Sequence, residues 1–291
     1  MRVFVTGASG WIGSALVPEL LGAGHEVVGL ARSAASAAAV EAMGADVLRG
    51  GLTDLETLKT AAESADGVVH LAFGHDFTRI EESIETDARA VEAMGAVLAG
   101  KPFVVASGTP VVPGRPSLED DDPDGAGPVA GRTGIARAVV AMAGRGVRSS
   151  VVRLPRSVHG EGDRHGFIAR LIGLDREKGV SAYVGDGTQR WPAVHVLDAA
   201  HLFRLALEQA RPGAVLHAVG DEGVAIRDLA AVIGARLDLV PTPVPAGELG
   251  FLGLILSVDQ PSASARTQEL LSWRPTRPGL LEDVEKGHYF G

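Results

Sequence analysis

The chain has 291 residues, 46% hydrophobic and 22% charged, and is therefore long enough to bury the core of one or two globular domains. Its formal net charge of −9 argues against non-specific binding to nucleic acid or to an anionic membrane, because both need a basic face. The absence of cysteine excludes disulfides, thiol catalysis and cysteine-bound metals. A strand-like run follows Met1 directly and leaves no room for a signal peptide, so we expect a cytoplasmic protein.

The first half of the chain alternates short β-branched runs with longer amphipathic segments, a pattern typical of βαβ units. In chain order it predicts strands at 3–5, 26–30, 46–48, 67–72, 103–106 and 149–154, separated by helices at 12–20, 34–43, 55–62, 79–99 and 133–143. Because such crossovers are right-handed, we expect an α/β fold with one doubly wound parallel sheet and helices on both faces.

The regular alternation weakens beyond Pro155. The pattern predicts helices at 166–177, 198–209 and 226–237, strands near 193–196 and 215–219, and a proline-rich connector at 239–245. The acidic segment 113–128, which is rich in proline and glycine, is expected to be an exposed loop. Its length makes it a candidate for an active-site flap or a mobile segment.

A glycine-rich segment, Thr6 to Gly13, lies between the first predicted strand and the first predicted helix. Gly7 permits the tight turn, Gly10 lets the backbone approach a pyrophosphate, and Gly13 allows close packing of helix and strand. A helix N-terminus also presents free N–H groups to phosphates. The alternative is a tight turn without a ligand, but this context favours a dinucleotide site formed by Gly7, Ser9, Gly10, Trp11, Ile12 and Gly13.

The end of the second strand distinguishes NAD from NADP, because an acidic residue there binds the ribose hydroxyls whereas an arginine suits a 2′-phosphate. This chain has Arg32 and Ser33 at that place and no acidic residue nearby. We therefore expect NADP in preference to NAD, the alternative being that Arg32 is a solvated surface residue.

Over essentially its whole length the sequence resembles the extended short-chain dehydrogenase/reductase superfamily, in the branch of NAD-dependent epimerases and dehydratases. The motifs that carry this resemblance lie at 6–13, 50–54, 70–72, 105–107, 153–160 and 194–198. The resemblance implies that further cofactor contacts come from Leu52, Ala72, Phe73, Ser107, Pro155 and Val158.

The resemblance also implies how the chain is divided. A Rossmann-type dinucleotide-binding domain is expected over residues 1–160, with the strands near 193–196 and 215–219 returning to it. Residues 161–291 are expected to form mainly a smaller, interleaved substrate-binding domain. The substrate would lie in the cleft between the two, over the carboxyl ends of the strands. Homodimers are common in this family, so a homodimer is one expected assembly.

The catalytic pattern of the family is incomplete in this chain. That pattern combines a serine or threonine at the end of the fifth strand, which Ser107 supplies, with a helical Tyr-x-x-x-Lys pair. The only two tyrosines are Tyr183 and Tyr289, and neither is followed by a lysine four residues later. Arg132 falls about where the tyrosine is expected, and Ala136 where the lysine is expected.

Two histidines are candidate replacement proton donors, because histidine transfers protons near neutral pH. They are His75, just past the fourth strand, and His159, at the position of a tyrosine in the family's sixth-strand segment; either could instead be structural. Arg132 remains protonated, so it would anchor a substrate carboxylate or phosphate or stabilise an oxyanion, unless it is a surface residue at a helix start.

The segment before the predicted strand at 193–196 suggests substrate contacts. Arg190 and Trp191 precede a Val-His-Val run, where family members often turn an arginine towards the substrate; simple packing is the alternative. No metal is expected, because the neighbouring residues 163–165 do not point to one centre and no second cluster supports them.

These observations favour an NADP(H)-dependent oxidoreductase that acts on a small carbonyl or alcohol with a non-standard proton donor. An NAD(P)-dependent epimerase or dehydratase is the alternative among enzymes. The missing pair also leaves open a non-catalytic NADP-binding sensor.

Overall fold

The computed structural model describes residues 1–74, 79–122 and 130–291. Its central feature is a seven-stranded sheet in which every pair of neighbouring strands is parallel. The strands are β1 (Arg2–Thr6), β2 (Glu26–Ala31), β3 (Asp46–Arg49), β4 (Gly67–His70), β5 (Pro102–Gly108), β6 (Arg148–Leu154) and β10 (Ala214–His217). Their order, β10-β6-β5-β4-β1-β2-β3, reverses direction between β1 and β4, which is the switch point where such sheets bind ligands.

Helices cover both faces of this sheet, so the strands are apolar on both sides. In β1, Val3 and Val5 face a core shared with α1 (Trp11–Gly22) and α7 (Val196–Gln209). Phe4, between them, faces a second core. The helices on that second side are α3 (Leu55–Ser64), α4 (Ile80–Gly95) and α5 (Ala130–Ala141), while α2 (Ala34–Ala42) follows β2. The expected doubly wound α/β fold is confirmed.

A smaller lobe is built from segments beyond Leu154. Its strands are β7 (Ser157–His159), β8 (Ser181–Tyr183), β9 (Arg190–His195), β11 (Asp221–Ala225) and β12 (Pro241–Pro243), and its helices are α6 (Phe167–Lys178), α8 (Ile226–Leu237), α9 (Gly250–Leu256) and α11 (Leu280–Glu285). These elements share their own core, which contains Trp191. Helix α10 (Ala265–Leu271), which lies between α9 and α11 in the sequence, contacts α7 and β10 of the larger lobe.

The structure corrects one expectation about the sheet. The strand predicted near 193–196 belongs to β9, which does not return to the central sheet; it pairs with β7 in parallel and with β11 in antiparallel. The reason is that the chain leaves the sheet after Leu154, so β7 offers β9 a new edge. The strand predicted near 215–219 does return, as β10 beside β6. The two lobes are thus interleaved beyond residue 160.

The described part of the acidic segment is also not a free flap. Ser117 is fully buried; its hydroxyl donates to the Ser262 hydroxyl at 2.7 Å. The buried Glu119 carboxylate accepts from the backbone N–H and the hydroxyl of Thr267, both at 2.7 Å. Residues 117–119 therefore fasten this segment to the C-terminal part of the chain. In the described ranges, no helix has the length and apolar character needed to cross a membrane.

Asp175 in α6 gives a pH-dependent prediction. Its carboxylate is fully buried and accepts from the Ala182 N–H and the Ser181 hydroxyl, both at 3.0 Å; burial outweighs these bonds and raises its pKa to about 6. Because the carboxyl group of Asp175 has a higher pKa in the folded state than in the unfolded state, its contribution to folding stability depends on pH. The contribution is fully present below the unfolded pKa, near 4, and is lost as the pH rises through the folded pKa, about 6. We expect Asp175→Asn to gain about 3 kcal/mol in unfolding free energy relative to the natural chain between pH 4 and pH 7. Urea unfolding across this range measures the difference, and a pH-independent difference would contradict it.

Candidate active site

The glycine-rich turn between β1 and α1 has the geometry of a phosphate cradle. Gly7 has a φ of +71°, and a Cβ there would lie 2.7 Å from the Ala72 nitrogen. A Cβ on Gly13 would lie 2.1 Å from the Gly7 carbonyl oxygen, so only glycine allows this approach. Gly10 stands at the N-cap of α1 and has no side chain to occupy the first N–H groups of the helix. These groups are left to bind an anion, as the phosphates of a dinucleotide require.

Trp11, the first residue of α1, connects this turn to the strand ends on the other side of the switch point. Its indole N–H donates to the Val158 carbonyl oxygen at 2.8 Å. Val158 lies in β7, beyond the buried Pro155. This hydrogen bond fixes the glycine-rich turn relative to the segment that contains Val158, and both segments are predicted to contact the cofactor. Ser9 and Ile12 lie in the turn.

The ends of β2 and β3 carry two exposed arginines. Arg32 and Ser33 directly follow β2, and the Ser33 side chain caps α2 by accepting from the Ser36 N–H at 3.1 Å. Arg49 ends β3 opposite Ala31, and its guanidinium donates to the Ser33 carbonyl oxygen at 2.8 Å. The region beside Ser33 is therefore positively charged. Leu52, in the next loop, is partly buried against the core.

Ser107 and Arg132 lie at the carboxyl ends of the central strands. Ser107 is partly buried near the end of β5, opposite Arg153 of β6. The Arg132 guanidinium, in the first turn of α5, lies 4.1 Å from the centre of the Phe73 ring, which follows β4 and Ala72. Because β4 and β5 are neighbours, Arg132 is held on the β4 side of Ser107.

The electrostatic surroundings of Arg132 leave its charge largely uncompensated. Burial lowers the pKa of its guanidinium, and the charge of Asp87 opposes that effect, so the group remains a cation. Among the described residues no carboxylate is within ion-pair distance of it. Asp87 itself accepts a bond at 2.8 Å from His70, the last residue of β4.

A buried chain of polar groups fixes the end of β4 below this region. The other His70 ring nitrogen lies 2.8 Å from the Thr6 hydroxyl oxygen, which also accepts from the Ala72 N–H at 3.3 Å. Thr6, His70 and Asp87 are all buried. These hydrogen-bonded side chains therefore position Ala72 and Phe73 and do not contact a ligand directly.

The two candidate histidines have different outcomes. His75 lies outside the described residues, and its proposed role stays a prediction. His159 is fully buried in β7, where its Nδ1 lies 2.9 Å from an Asp283 carboxylate oxygen. A buried, paired imidazole cannot reach a substrate in the cleft, so the structure corrects the expectation for His159 and gives it a structural role.

The expectation for Trp191 is corrected in the same way, because its side chain is fully buried in the core of the smaller lobe. Arg190 is partly exposed, but its guanidinium is bound by the two carboxylate oxygens of Asp259 at 3.0 and 2.8 Å. It is therefore engaged rather than free for a substrate anion. Within the described part of the chain, no three acidic or histidine side chains are arranged to hold a metal ion.

Neither tyrosine offers a replacement acid at the strand ends. Tyr183 ends β8 in the smaller lobe. The Tyr289 hydroxyl is buried, donates to Asp163 at 3.3 Å and accepts from the Gly160 N–H at 3.2 Å. Burial raises the pKa of this phenol.

Comparison with known proteins agrees with this architecture. The sequence is 45% identical to an uncharacterized protein of Schizosaccharomyces pombe, with both chains covered completely. It is 31% identical over 228 residues to the 2-alkyl-3-oxoalkanoate reductase of Stenotrophomonas maltophilia, covering 74% of this chain and 67% of that one. The structure of UDP-glucose 4-epimerase from Thermus thermophilus in complex with NAD superposes with a TM-score of 0.76 at 22% identity, covering 100% and 99% of the two chains.

The match to the family as a whole covers most of the central sheet. The sequence model of the NAD dependent epimerase/dehydratase family matches residues 3–219, from β1 to just beyond β10. This range includes the glycine-rich turn, Ser107, Arg132 and the segment after β6. The chain therefore belongs to the NAD dependent epimerase/dehydratase family.

Proposed function

We propose that this protein is an NADP(H)-dependent oxidoreductase that reduces a small carbonyl compound, or oxidises the corresponding alcohol, with Ser107 in the role of the family's usual serine and Arg132 in place of its usual tyrosine. The observation that carries the proposal is the cationic Arg132, held over Phe73 with no described carboxylate within ion-pair distance, while Phe73 follows β4, the strand that neighbours the β5 of Ser107. Reductases among the relatives support the reaction class.

The cofactor would be held by the residues of the cradle. The uncapped N-terminus of α1 would bind the pyrophosphate, and Arg32 and Arg49 would bind the 2′-phosphate beside Ser33. When bound, NADPH supplies a hydride that, together with one proton, converts a carbonyl to an alcohol.

The protein's own groups would then act on the substrate oxygen. The Arg132 guanidinium stabilises the negative charge that develops there, without giving up its own proton. The Ser107 hydroxyl donates a hydrogen bond to the same oxygen and passes on a proton taken from solvent. Neither role requires the family's tyrosine, whose pKa is lowered by the neighbouring lysine. An arginine at the tyrosine position, Arg132, is consistent with this.

A turnover assay tests this function against its alternatives. We expect NADPH oxidation with at least one member of a panel of ketones, 3-oxo acids and aldehydes, and none with the cofactor alone. Turnover of a substrate without net change in the cofactor would indicate an epimerase or a dehydratase instead. Tight NADP binding without turnover of any kind would indicate a sensor.

Charge reversal at Arg32 tests the cofactor assignment separately. Loss of a charge-assisted bond to the 2′-phosphate and the added repulsion are expected to lower NADP+ affinity about 10- to 100-fold, with NAD+ affinity changed less than threefold. The measurement is the Kd of each cofactor for Arg32→Glu and for Arg49→Gln, with the exposed Arg89→Gln in α4 as a control. An unchanged NADP+ to NAD+ ratio in both variants would remove the NADP preference.

A further inference from the structure

Arg156 is a second guanidinium at the carboxyl ends of the central strands. Leu154, the last residue of β6, pairs with Gly108 of β5, and its carbonyl oxygen accepts from the Thr109 N–H at 2.9 Å. Arg156 follows Leu154 by two residues, immediately after Pro155. It therefore lies on the β6 side of Ser107, opposite to Arg132 on the β4 side.

The partners of Arg156 are neutral. Its Nη2 donates to the Gln260 side-chain oxygen, and the Gln260 side-chain nitrogen donates to the Thr109 carbonyl oxygen at 2.7 Å. Its Nε is buried and has no hydrogen-bond partner among the described residues. In the same described ranges, no carboxylate lies within ion-pair distance of this guanidinium, and burial lowers its pKa without compensation from any anion.

Two other arginines of this chain show the arrangement in which a carboxylate completes the guanidinium. Arg190, whose backbone carbonyl accepts from the Gln260 N–H, binds both carboxylate oxygens of Asp259. Arg115 binds Asp121 with two nitrogens in the same manner. A partly buried guanidinium with an unused donor and no counter-ion is costly unless an anion completes it.

We propose that Arg156 binds an anionic group of the substrate, a carboxylate or a phosphate monoester, while Arg132 faces the reacting oxygen. This inference rests on the proposed oxidoreductase function and adds the class of substrate. Gln260 is a positioning residue, because it fixes one nitrogen of the guanidinium and leaves the buried Nε and the remaining donors for the anion. The N–H donors of a guanidinium lie in one plane, and their spacing matches the oxygens of a carboxylate or a phosphate.

Matched pairs of charged and neutral carbonyl compounds test this assignment on the full-length protein. The probes are acetoacetate with its methyl ester, and dihydroxyacetone phosphate with dihydroxyacetone, assayed by NADPH oxidation. We expect kcat/KM to favour the charged member of one pair at least tenfold, and the pair that shows this identifies the anion as carboxylate or phosphate. Arg156→Met should remove the preference by lowering kcat/KM for that anion about 10- to 100-fold, mainly through KM, with the neutral partner changed less than threefold.

Binding measurements separate this inference from the proposed function. Calorimetric titration of the NADP+-loaded protein with acetoacetate and with inorganic phosphate should show a Kd at least tenfold weaker in Arg156→Met than in the natural chain or in Arg89→Met. If this holds while no probe is reduced, the anion site stands and the oxidoreductase function falls. Equal kcat/KM for both members of both pairs in the natural protein would overturn the anion site whether or not the variant folds. A variant that instead loses NADP+ affinity would show that Arg156 serves the cofactor, which also overturns it.

Discussion

Replacing Arg132 by methionine is expected to lower kcat for the best carbonyl substrate about 100- to 1,000-fold, the effect of removing one donor to a developing oxyanion. Methionine keeps most of the length and apolar contact of the side chain over Phe73 but removes the charge. Because the cradle at the N-terminus of α1 is untouched, NADP+ affinity should change less than threefold. Stopped-flow NADPH oxidation and a fluorescence titration with NADP+ measure the two quantities on the same preparation.

Two further variants make this result specific. Arg132→Lys keeps a positive charge but loses the planar stacking on Phe73, and should recover only part of the rate. Phe73→Leu leaves the guanidinium in place and removes a cation–π contact of about 1 kcal/mol, so a loss of roughly fivefold is expected. A kcat for Arg132→Met within a factor of three of the natural protein would exclude Arg132 from the chemistry.

The arrangement of Arg132 and Arg156 follows from the topology of a parallel sheet. Such a sheet brings the carboxyl ends of β4, β5 and β6 to one edge, so residues far apart in sequence end up flanking Ser107. In the proposed site, Arg132 and Arg156 supply fixed positive charge from the β4 side and the β6 side of the serine. Fixed charge stabilises an oxyanion and binds an anion without proton exchange, which suits reduction of an anionic carbonyl compound.

Most of the central sheet could be predicted from the sequence because its strands are continuous apolar runs between amphipathic helices. The helix Ile226–Leu237 was predicted with its observed bounds, since its apolar spacing is regular. The short strands β7, β8, β11 and β12 were not predicted, because three to five residues carry too little periodicity. β9 lies outside the central sheet because it pairs with the edge of β7. A local sequence pattern carries no information about such a distant strand partner.

The candidate site could be predicted only where one local motif carries it. The cradle around Gly7 needs a strand, a turn and a helix in sequence, and all three are adjacent. Arg49 and Arg156 were missed because their roles depend on neighbouring strands: β3 beside β2 brings Arg49 to Ser33, and a residue 104 positions away, Gln260, holds Arg156. The available signal for Arg49 was its position directly after the strand predicted at 46–48.

A buried pair within the smaller lobe, His159 of β7 and Asp283 of α11, is expected to contribute strongly to stability. Asp283 in α11 is 2% exposed, and its carboxylate lies 2.9 Å from Nδ1 of His159, which is fully buried in β7. Asp283→Ala leaves a buried ring nitrogen of that imidazole without its partner, so we expect the free energy of unfolding at pH 7 to fall by about 1–3 kcal/mol. Glu282→Ala, at the exposed neighbouring position in the same helix, should change it by less than about 1 kcal/mol.

The pH dependence of this loss distinguishes the hydrogen-bonded Asp283 carboxylate from simple packing. Burial raises the pKa of Asp283, but the hydrogen bond with His159 and the charges of His159 and His288 lower it further, so the net pKa is below the ordinary value. A carboxyl with a lowered pKa stabilises the fold above its unfolded pKa, near 4, and loses that contribution as the pH falls through the folded value. The difference between the natural chain and Asp283→Ala should therefore be full at pH 7 and shrink below about pH 4, as urea unfolding at each pH measures. A loss of the same size at every pH would mean that the carboxylate acts only by filling space, and Asp283→Asn would then be as stable as the natural protein at pH 7.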